Sequence, residues 1–502
     1  MTSKTRIIVG AILAVSVLVA GLVIGIVLAA PSEQRAQLPT PTPHPVDNLE
    51  YTLTEVGGQM ETLTYDYPDQ DGFVLGSMAV TSQYPRGMVF SFNPQSPNGA
   101  IQDVILFMRF PGGAGTRFVA EWDEAAGAWI AHPWPNGDSQ PAWTPIEFYW
   151  RVRDETGVSV DTPTYTVDYS DPTRAWYRLE TPYYLVYWFG MSDDDPDRFA
   201  RSAALAVAST RPRRIEGFGE PLSFLPVGVI YGSRAAWSEI ESSGITDDTA
   251  GGYTDTGLGM TIQYVPGGST NFQIGWLSHV LTHELTHLYQ FDVLGGASGP
   301  TWWREGQAEW FGYDPGAYDD RMMNLATLQD LPTMSREISR NLEQADGRPY
   351  LVYDMGASFV NWYISTYSIE AHAVAVELMQ GGTTFYAALE AASGDSFFDM
   401  ENAWRAYIGL EPFDLADIDP AAALEPIPDP QYAVGDVVTL PASPPLPAVY
   451  TEPGPTSPTS GQCFANMDVT VLASGRLDGA DFYQVDCMGQ VGWMPVELLA
   501  GQ

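Results

Sequence analysis

The chain has 502 residues, which is long enough for several domains with at least one large core. Acidic residues outnumber basic residues 62 to 23, so the formal net charge is −39 at pH 7. A surface of this charge repels nucleic acid and anionic lipid headgroups, and neither is expected as a partner. The hydrophobic content of 45% is ordinary and indicates folded domains instead of disorder.

The N-terminal segment is a candidate membrane anchor. Residues 7–30 are almost continuously apolar and follow Lys4 and Arg6. The run exceeds the apolar core of a signal peptide, about 7–15 residues, and matches the roughly 20 residues that cross a bilayer. We therefore expect residues 1–30 to form a signal anchor, with a cleaved signal peptide and a secreted protein as the alternative. The basic flank places the N-terminus in the cytoplasm and the bulk of the chain outside the cell.

The next segments are a spacer and an all-β domain. Residues 31–50 are rich in proline and predict an extended spacer. Residues 51–175 contain short runs of β-forming residues separated by turns, and within them apolar and polar residues alternate. This period-two alternation predicts an N-terminal antiparallel β-sandwich, for which an immunoglobulin-like fold is one candidate. It is clearest in one run, where the apolar positions are Ile146, Phe148, Trp150 and Val152.

Residues 176–416 have a mixed α and β pattern, and two smaller segments follow. Predicted strands cover residues 183–189 and 225–231, and residues 251–265 predict a glycine-rich turn and a strand. Predicted helices cover 195–210, 273–291, 301–312, 356–367 and 369–380. Residues 417–431 are proline-rich and acidic, which predicts a linker. Residues 432–502 return to short strands and predict a small β-barrel. Cys463 and Cys487, the only cysteines, could join in a disulfide in an oxidising compartment.

One stretch of the predicted helix 273–291 has the spacing of a metal site. His283 and His287 are four residues apart, so both imidazoles lie on one face and can bind one ion. Glu305 follows at a distance that allows a loop and a second helix to return it as the third ligand. Such a set leaves one coordination position open for water, as in a catalytic zinc site. Glu284 is then the candidate general base.

Two neighbouring residues are candidates for the surroundings of this ion. Glu309 lies one turn beyond Glu305 and is expected to orient a ligating histidine. His279 lies one turn before His283 and could be a fourth ligand, but a catalytic ion needs an open position, so we favour an outer or packing role. The alternative to a metal site is a helix with two surface histidines. The element Trp-x-x-Glu-Gly-x-Ala-Glu after it counts against that alternative.

The motif His283-Glu-Leu-Thr-His287 with Trp303-Arg-Glu-Gly-Gln-Ala-Glu309 resembles the gluzincin metallopeptidases, of the thermolysin and aminopeptidase N kind. It is closest to the bacterial peptidase-MA-like extracellular proteins. The resemblance implies an α+β, thermolysin-like catalytic domain over residues 176–416, one catalytic Zn²⁺ and a peptide or protein substrate. It also implies that His283, His287 and Glu305 bind the zinc ion and that Glu284 is the base.

Two further elements bear on this resemblance. The family has an oxyanion-stabilising tyrosine in a Tyr-x-x-Gly element, and Tyr353-Asp-Met-Gly356 resembles it. The alternative for Tyr353 is a core aromatic residue ahead of a helix.

Aminopeptidases of the family carry a Gly-x-Met-x-Asn strand whose glutamate, just after the methionine, holds the substrate amino terminus. The nearest strand here, Gly257-Leu-Gly-Met-Thr261, has no acid after Met260, which favours an endopeptidase. The glycine-rich strand could still pair with an extended substrate.

The C-terminal segment resembles bacterial SH3-like domains, with Gly492-Trp493-Met494 in place of their common Gly-Trp-Val ending. The resemblance implies a cell-wall or protein ligand, and a structural cap is the alternative.

Taken together, the anchor and the histidine motif indicate that the whole chain is a membrane-anchored extracellular zinc metallopeptidase. A non-catalytic surface or cell-wall-binding protein is the runner-up, although the intact Glu284 counts against it. A zinc hydrolase of non-peptide amides also stays open.

Overall fold

A computed structural model describes residues 44–502 of the chain. It leaves out residues 136–139, 192–194, 239–250, 296–298, 313–330, 332, 335–350, 414–423, 441–447, 451–452, 454–458, 464–465, 478–479, 488–489 and 501–502. The proposed anchor, residues 1–30, and most of the spacer lie outside the described residues. Among the described residues, no helix is both long and apolar enough to span a bilayer.

The described part of the chain combines many short strands with one largely helical region. The strands are β1 (Thr52–Gly57), β2 (Thr62–Tyr67), β3 (Gly76–Ser82), β4 (Met88–Phe92), β5 (Ile101–Arg109), β6 (Gly115–Val119), β7 (Glu121–Asp123), β8 (Ala128–Ala131), β9 (Pro145–Asp154), β10 (Ser159–Asp161), β11 (Tyr165–Asp168), β12 (Ala175–Thr181), β13 (Tyr184–Trp188), β14 (Val227–Tyr231), β15 (Gly252–Asp255), β16 (Met260–Tyr264), β17 (Val437–Thr439), β18 (Ala448–Tyr450), β19 (Thr459–Gln462), β20 (Asp468–Leu477), β21 (Ala480–Cys487) and β22 (Gln490–Pro495). The helices are α1 (Pro196–Phe218), α2 (Arg234–Ser238), α3 (Thr270–Leu294), α4 (Thr301–Phe311), α5 (Leu351–Tyr367), α6 (Ile369–Gln380), α7 (Phe385–Ser393), α8 (Phe397–Ile408) and α9 (Val496–Ala500).

Residues 62–168 form two antiparallel sheets, which we call the two-sheet region. One sheet has the order β2-β3-β4-β8-β7, and the other has β10-β9-β5-β6 with β11 beside β9. The alternation seen in the sequence of β9 matches its burial, since Ile146, Phe148, Trp150 and Val152 are all buried. The rings of Phe148 and Trp150 pack on the facing sheet. The ring centroids of Phe90, on that sheet, and Phe148 lie 5.2 Å apart. Burial of these rings supplies the apolar contact between the two sheets.

A third sheet supports the helical region and has the order β1-β12-β13-β14-β16-β15. β1 pairs with β12 along its whole length, from Thr52 opposite Glu180 to Gly57 opposite Ala175. The division at residues 175/176 drawn from the sequence therefore differs from the sheet pairing, because β1 precedes the two-sheet region but belongs to this sheet. One continuous core also runs from the two-sheet region into the third sheet, where it includes Trp176. Pairing of strands far apart in sequence leaves no local signal.

The segment at residues 251–265, expected as a glycine-rich turn and one strand, is two antiparallel strands with a turn between them. Asp255 accepts a hydrogen bond from the backbone N–H of Leu258, and Gly259 has a φ of +70°, so the chain reverses between β15 and β16. β16 lies between β14 and β15, and both of its edges are paired. The strand that begins at Met260 therefore cannot accept an extended substrate. β15 is the edge strand of the sheet, and it packs against α3.

Two helices differ in extent from the sequence expectation. α1 continues past Thr210 to Phe218 and contains Pro212. A proline removes one backbone donor, but the following turns are held by packing, since Arg214 and Phe218 are buried. α5 begins at Leu351 instead of Gly356, so Tyr353 lies within its first turn.

The C-terminal strands form a separate sheet with the order β17-β20-β21-β22-β18-β19. Its core contains Val469, Val485 and Met494. Cys463 and Cys487 are joined by a disulfide bond with a Cα–Cα distance of 5.9 Å. A cross-link of this kind stabilises a small core mainly by restricting the unfolded chain.

Candidate metal centre

The helix α3 carries the histidine motif through the core of the helical region. Its first turn is capped by the side chain of Ser269, which accepts a hydrogen bond from the N–H of Phe272. Its end is set by Gly295 in the left-handed conformation, with a φ of 57°. His283 and Glu284 are both buried, and His287 is nearly so. A helix held at both ends and packed on most sides fixes the direction of its imidazoles before any ligand binds.

Glu305, on the neighbouring helix α4, meets both histidines of the motif. Its Oε2 atom lies 3.3 Å from Nε2 of His283 and 3.4 Å from Nε2 of His287. Two ligands about 2.1 Å from a tetrahedral zinc ion lie about 3.4 Å apart. The two nitrogens and one oxygen therefore have the spacing and the chemistry of a zinc site with one open position. A zinc ion bound there would lower the pKa of its water and polarise a carbonyl group.

The electrostatics of the three groups show how closely they are coupled. Burial lowers the pKa of His283, but its hydrogen bonds to Glu305 and Glu309 outweigh that effect and raise the pKa well above the usual value. Burial raises the pKa of Glu305, and the two imidazoles of His283 and His287 more than reverse it, to well below the usual value. In the metal-free centre, protonated imidazoles are therefore stabilised by the ionised carboxylates beside them. A metal ion would displace them, so metal affinity should fall as the pH is lowered.

Glu309 lies behind His283, on the side away from Glu305. Its Oε1 atom is 3.1 Å from Nδ1 of His283, and its Oε2 atom is 3.3 Å from Nε2 of His279. Burial raises the pKa of Glu309, but the charges and hydrogen bonds of the two imidazoles outweigh it and lower the pKa to about 2. An ionised carboxylate on Nδ1 keeps the proton there and leaves Nε2 of His283 available to a metal ion. His279 contacts this carboxylate through its Nε2 atom.

Glu284 is oriented by a residue that the sequence did not indicate. The hydroxyl of Thr254, on the edge strand β15, lies 2.7 Å from Oε2 of Glu284 and 3.0 Å from its backbone oxygen. The hydroxyl donates to the carboxylate and leaves the second carboxylate oxygen to accept a proton. The role of Thr254 can be recognised only from the order of the strands in the sheet. β15 lies beside α3 because it pairs with β16 at the edge of that sheet.

Tyr353 reaches the centre through a close crossing of α4 and α5. Its ring centroid lies 6.0 Å from that of His283. The two helices cross at Gly306 and Gly356, where a Cβ on either glycine would overlap backbone atoms of the other helix. Gly306 and Gly356, the glycines that follow Glu305 and Tyr353 in the two motifs, allow the backbones of α4 and α5 to touch. This contact brings the carboxylate of Glu305 and the phenol of Tyr353 to the metal centre.

A buried chain of hydrogen bonds behind His287 was also missed from the sequence. Nδ1 of His287 lies 2.8 Å from Oε1 of Gln290, whose Nε2 donates to the backbone oxygen of Arg304 and to Oε1 of Gln307. Nε2 of Gln307 lies 2.8 Å from Nε2 of His372, and Nδ1 of His372 lies 2.9 Å from the backbone oxygen of Gly217.

The direction of this chain follows from its ends. A carbonyl oxygen only accepts, so Nδ1 of His372 donates to Gly217 and its Nε2 must accept from Gln307. The same reasoning along Gln307 and Gln290 leaves Oε1 of Gln290 as the acceptor for Nδ1–H of His287. The lone pair of His287 is then on Nε2, the atom that faces Glu305. A network that begins at Gly217 thus fixes the tautomer that a metal ion needs.

Because His372 is buried in its neutral form, we expect the stability of the fold to depend on pH. Burial lowers its pKa to about 4, below the value of about 6.5 expected in the unfolded chain. Below pH 6.5 the unfolded state binds a proton that the folded state excludes, so His372 destabilises the fold as the pH falls, by about 2 kcal/mol at pH 5. In the metal-free protein, His372→Gln should therefore reduce the difference in melting temperature between pH 7.5 and pH 5. The exposed His132→Gln serves as the control, and an equal difference in both variants would contradict the argument.

Comparison with known proteins gives only distant matches. No family model matches the chain, and no curated protein matches it. Among solved structures, an M1 zinc metallopeptidase from Deinococcus radiodurans is 10% identical, covers 75% of this chain and 96% of its own, and has a TM-score of 0.30. A variant of that enzyme gives 9% identity, the same coverage and a TM-score of 0.28.

A third solved structure is that of Legionella pneumophila aminopeptidase A in complex with aspartic acid. It is 10% identical, with a TM-score of 0.29, and the match covers 70% of this chain and 51% of that one. The structural neighbours are zinc metallopeptidases and an aminopeptidase. TM-scores this low carry no argument about this chain, so the candidate centre depends on its own geometry.

Proposed function

We propose that the chain is a zinc-dependent metallopeptidase that cleaves peptide bonds with zinc-activated water. One observation carries the proposal: Oε2 of Glu305 lies 3.3 Å from Nε2 of His283 and 3.4 Å from Nε2 of His287, and Glu284 directly follows His283 in α3. In this proposal Glu284 accepts the proton of the attacking water, and the phenol of Tyr353 donates to the developing oxyanion. Glu309 orients His283, and His279 stays outside the coordination sphere.

We propose an endopeptidase in preference to an aminopeptidase. The edge strand β15 lies against α3, and the residue that it presents to Glu284 is Thr254. A neutral hydroxyl at this position offers no charge to the ammonium group of a substrate's amino terminus. The same strand has an unpaired edge among the described strands, which would suit an extended peptide.

We also propose that the enzyme acts outside the cell, attached by a single membrane span at its N-terminus. The apolar run at residues 7–30 and its basic flank support this location. The disulfide between Cys463 and Cys487 is compatible with an oxidising compartment. For the C-terminal region we propose a cell-wall or protein ligand, with a structural cap as the alternative outcome.

The proposal is tested with the full-length chain, purified in detergent. We expect close to one zinc ion per chain and cleavage of internal bonds in a mixed library of peptides. A chelator should abolish cleavage, and added zinc should restore it. Blocking the amino termini of the peptides should leave cleavage unchanged, whereas loss of cleavage on blocking would identify an aminopeptidase. A zinc-loaded protein that binds cell wall but cleaves no peptide would overturn the proposal in favour of a non-catalytic surface protein.

Replacing Tyr353 with phenylalanine tests its proposed role. Removal of one oxyanion donor costs about 10²–10³-fold in turnover, so kcat should fall by that factor while KM and zinc content change little. The control is Tyr367→Phe, at the other end of α5, whose hydroxyl bonds to Asp395. An unchanged kcat for Tyr353→Phe would exclude the phenol from the reaction.

A further inference from the structure

The two-sheet region contacts the hairpin beside the candidate metal centre. Residues 110–114, between β5 and β6, form a turn that we call the β5–β6 turn. It packs on residues 256–259, between β15 and β16, which we call the β15–β16 turn. The first strand of this hairpin, β15, carries Thr254, whose hydroxyl donates to the carboxylate of Glu284. A turn of the two-sheet region is therefore linked to the candidate base through one short strand.

The two turns approach each other backbone to backbone. The N–H of Ala114 donates to the backbone oxygen of Gly257 at 3.2 Å. A Cβ atom at Gly112 would overlap the backbone oxygen of Thr256 and would lie 2.7 Å from the backbone oxygen of Gly257. Backbone atoms cannot rotate out of the way as a flexible side chain can. Glycine at position 112 therefore allows a contact that any side chain would separate.

The contact is also close when it is measured from the β15–β16 turn. A Cβ atom at Gly259 would lie 3.0 Å from the backbone nitrogen of Gly112 and 3.1 Å from Cβ of Pro111. A Cβ atom at Gly257 would lie 3.2 Å from Cβ of Ala114. Glycines on both turns thus face each other, although the turns are far apart along the chain.

The position of the β5–β6 turn is set by the two-sheet region. The N–H of Phe110 donates to the backbone oxygen of Ala114, and the N–H of Gly113 donates to that of Phe110, both at 2.9 Å. Gly113 has a φ of +88°, a conformation that favours glycine. The ring of Phe110 is buried and packs on the ring of Trp134, with 6.4 Å between the ring centroids. The turn is therefore anchored in the core between the two sheets.

The strand β15, in contrast, has few supports of its own. It is an edge strand of only four residues, Gly252–Asp255, and all four are partly exposed. Its neighbour β16 is paired along both edges, with β14 and with β15. A displacement of the β15–β16 turn would therefore move β15 more readily than it would move β14 or β16.

We propose that the β5–β6 turn positions β15 for catalysis and that Gly112 is a positioning residue, which acts through the β15–β16 turn. Gly112 contacts Thr256, which lies two residues beyond Thr254 along the chain. A shift of this turn would move the hydroxyl that orients Glu284 and the strand edge that is proposed to pair with the substrate. The effect on catalysis rests on the proposed peptidase function, whereas the support of β15 does not.

Hydrogen exchange in the full-length chain tests the support of β15 without reference to activity. Gly112→Ala adds a methyl group that must displace the β15–β16 turn. Backbone amides of residues 252–259 should exchange about tenfold faster than in the parent, while those of β14 keep their rates. The control is Gly267→Ala, at an exposed glycine where an added Cβ meets nothing within 4 Å. Unchanged exchange at residues 252–259, or an equal acceleration in β14, would overturn the proposal.

The kinetics of Gly112→Ala test the effect on catalysis. The proposed zinc ligands lie on α3 and α4 and not on β15, so we expect zinc content to equal that of the parent. A small misplacement of Thr254 and the substrate edge should lower kcat/KM by about 10–100-fold. Faster exchange at residues 252–259 with an unchanged kcat/KM would overturn the role in catalysis. If the parent itself cleaves no peptide, the peptidase function fails, and hydrogen exchange still decides whether the turn supports β15.

A milder pair of changes decides the question if Gly112→Ala does not fold. Gly257→Ala adds a Cβ that meets Cβ of Ala114, so exchange at residues 252–259 should rise by a smaller factor. Combining Gly257→Ala with Ala114→Gly removes the opposing methyl group and should restore both exchange and kcat/KM. Ala114→Gly alone is the control. If the combined variant stays as perturbed as Gly257→Ala, the effect does not pass through the contact between the two turns, and the proposal is wrong.

Discussion

Replacing Glu284 with glutamine should lower peptide cleavage by about 10²–10⁴-fold while zinc content stays at the level of the parent. Glutamine has the same shape, and its carbonyl oxygen can still accept the hydrogen bond from Thr254. It cannot accept a proton from water, so the loss falls on the chemical step. The zinc ligands, His283, His287 and Glu305, are untouched. Turnover at saturating peptide and zinc measured by elemental analysis are the two readouts.

A matched control removes a glutamate from the surface. Glu216 is exposed on α1, and Glu216→Gln makes the same change in charge without approaching the centre. We expect its turnover to equal that of the parent. If Glu284→Gln also keeps full turnover, then Glu284 is not the base. If it loses zinc together with turnover, the carboxylate contributes to metal binding and the proposed division of roles is wrong.

Replacing Gly306 with alanine should destabilise the protein by about 3 kcal/mol and weaken zinc binding. A Cβ at this position would overlap the backbone carbonyl carbon and oxygen of Gly356, and backbone atoms cannot rotate out of the way. α4 and α5 must then separate, which displaces Glu305 from its distances of 3.3 and 3.4 Å to the histidines. The melting temperature and the zinc dissociation constant should both report the change.

The control for this variant is another helical glycine. Gly275 lies in α3, is exposed, and has no atoms near the position of an added Cβ. Gly275→Ala should be neutral or stabilise the helix by up to about 1 kcal/mol, because alanine has the higher helix propensity. If Gly306→Ala is as stable as Gly275→Ala and binds zinc equally well, the two helices do not touch as the structure has them.

The sequence predicted the parts of the centre that depend on local geometry. His283 and His287 share a face because a helix repeats every 3.6 residues, and Glu284 follows from its position between them. Glu305 lies on the next helix and was placed by its distance along the chain, which allows a loop and a second helix to return it to the histidines. Tyr353 was placed through the family resemblance, and the structure brings its ring to 6.0 Å from that of His283. Their roles in catalysis remain predictions that the variants test.

Glu309 was expected from its spacing to Glu305, but the other residues that orient the centre could not be predicted, because each depends on contacts between distant segments. Thr254 reaches Glu284 only because residues 251–265 fold as a hairpin whose first strand forms the edge of the sheet. His372 contacts Gln307 only because α6 packs against α1 and α4. A buried histidine has no periodic signal, and in the sequence it looks like any isolated polar residue.

The pairing of β1 with β12 has a consequence for how the chain folds. The strands bracket the whole two-sheet region, and β1 is an edge strand with most of its side chains exposed. Closing so long a loop in a disordered chain costs entropy, and prior folding of the enclosed residues shortens the effective distance between its ends. We therefore expect β1 to join its sheet after the two-sheet region has formed, and to detach first under mild denaturant. Amide hydrogens along β1 should accordingly exchange sooner than those of the central strand β14.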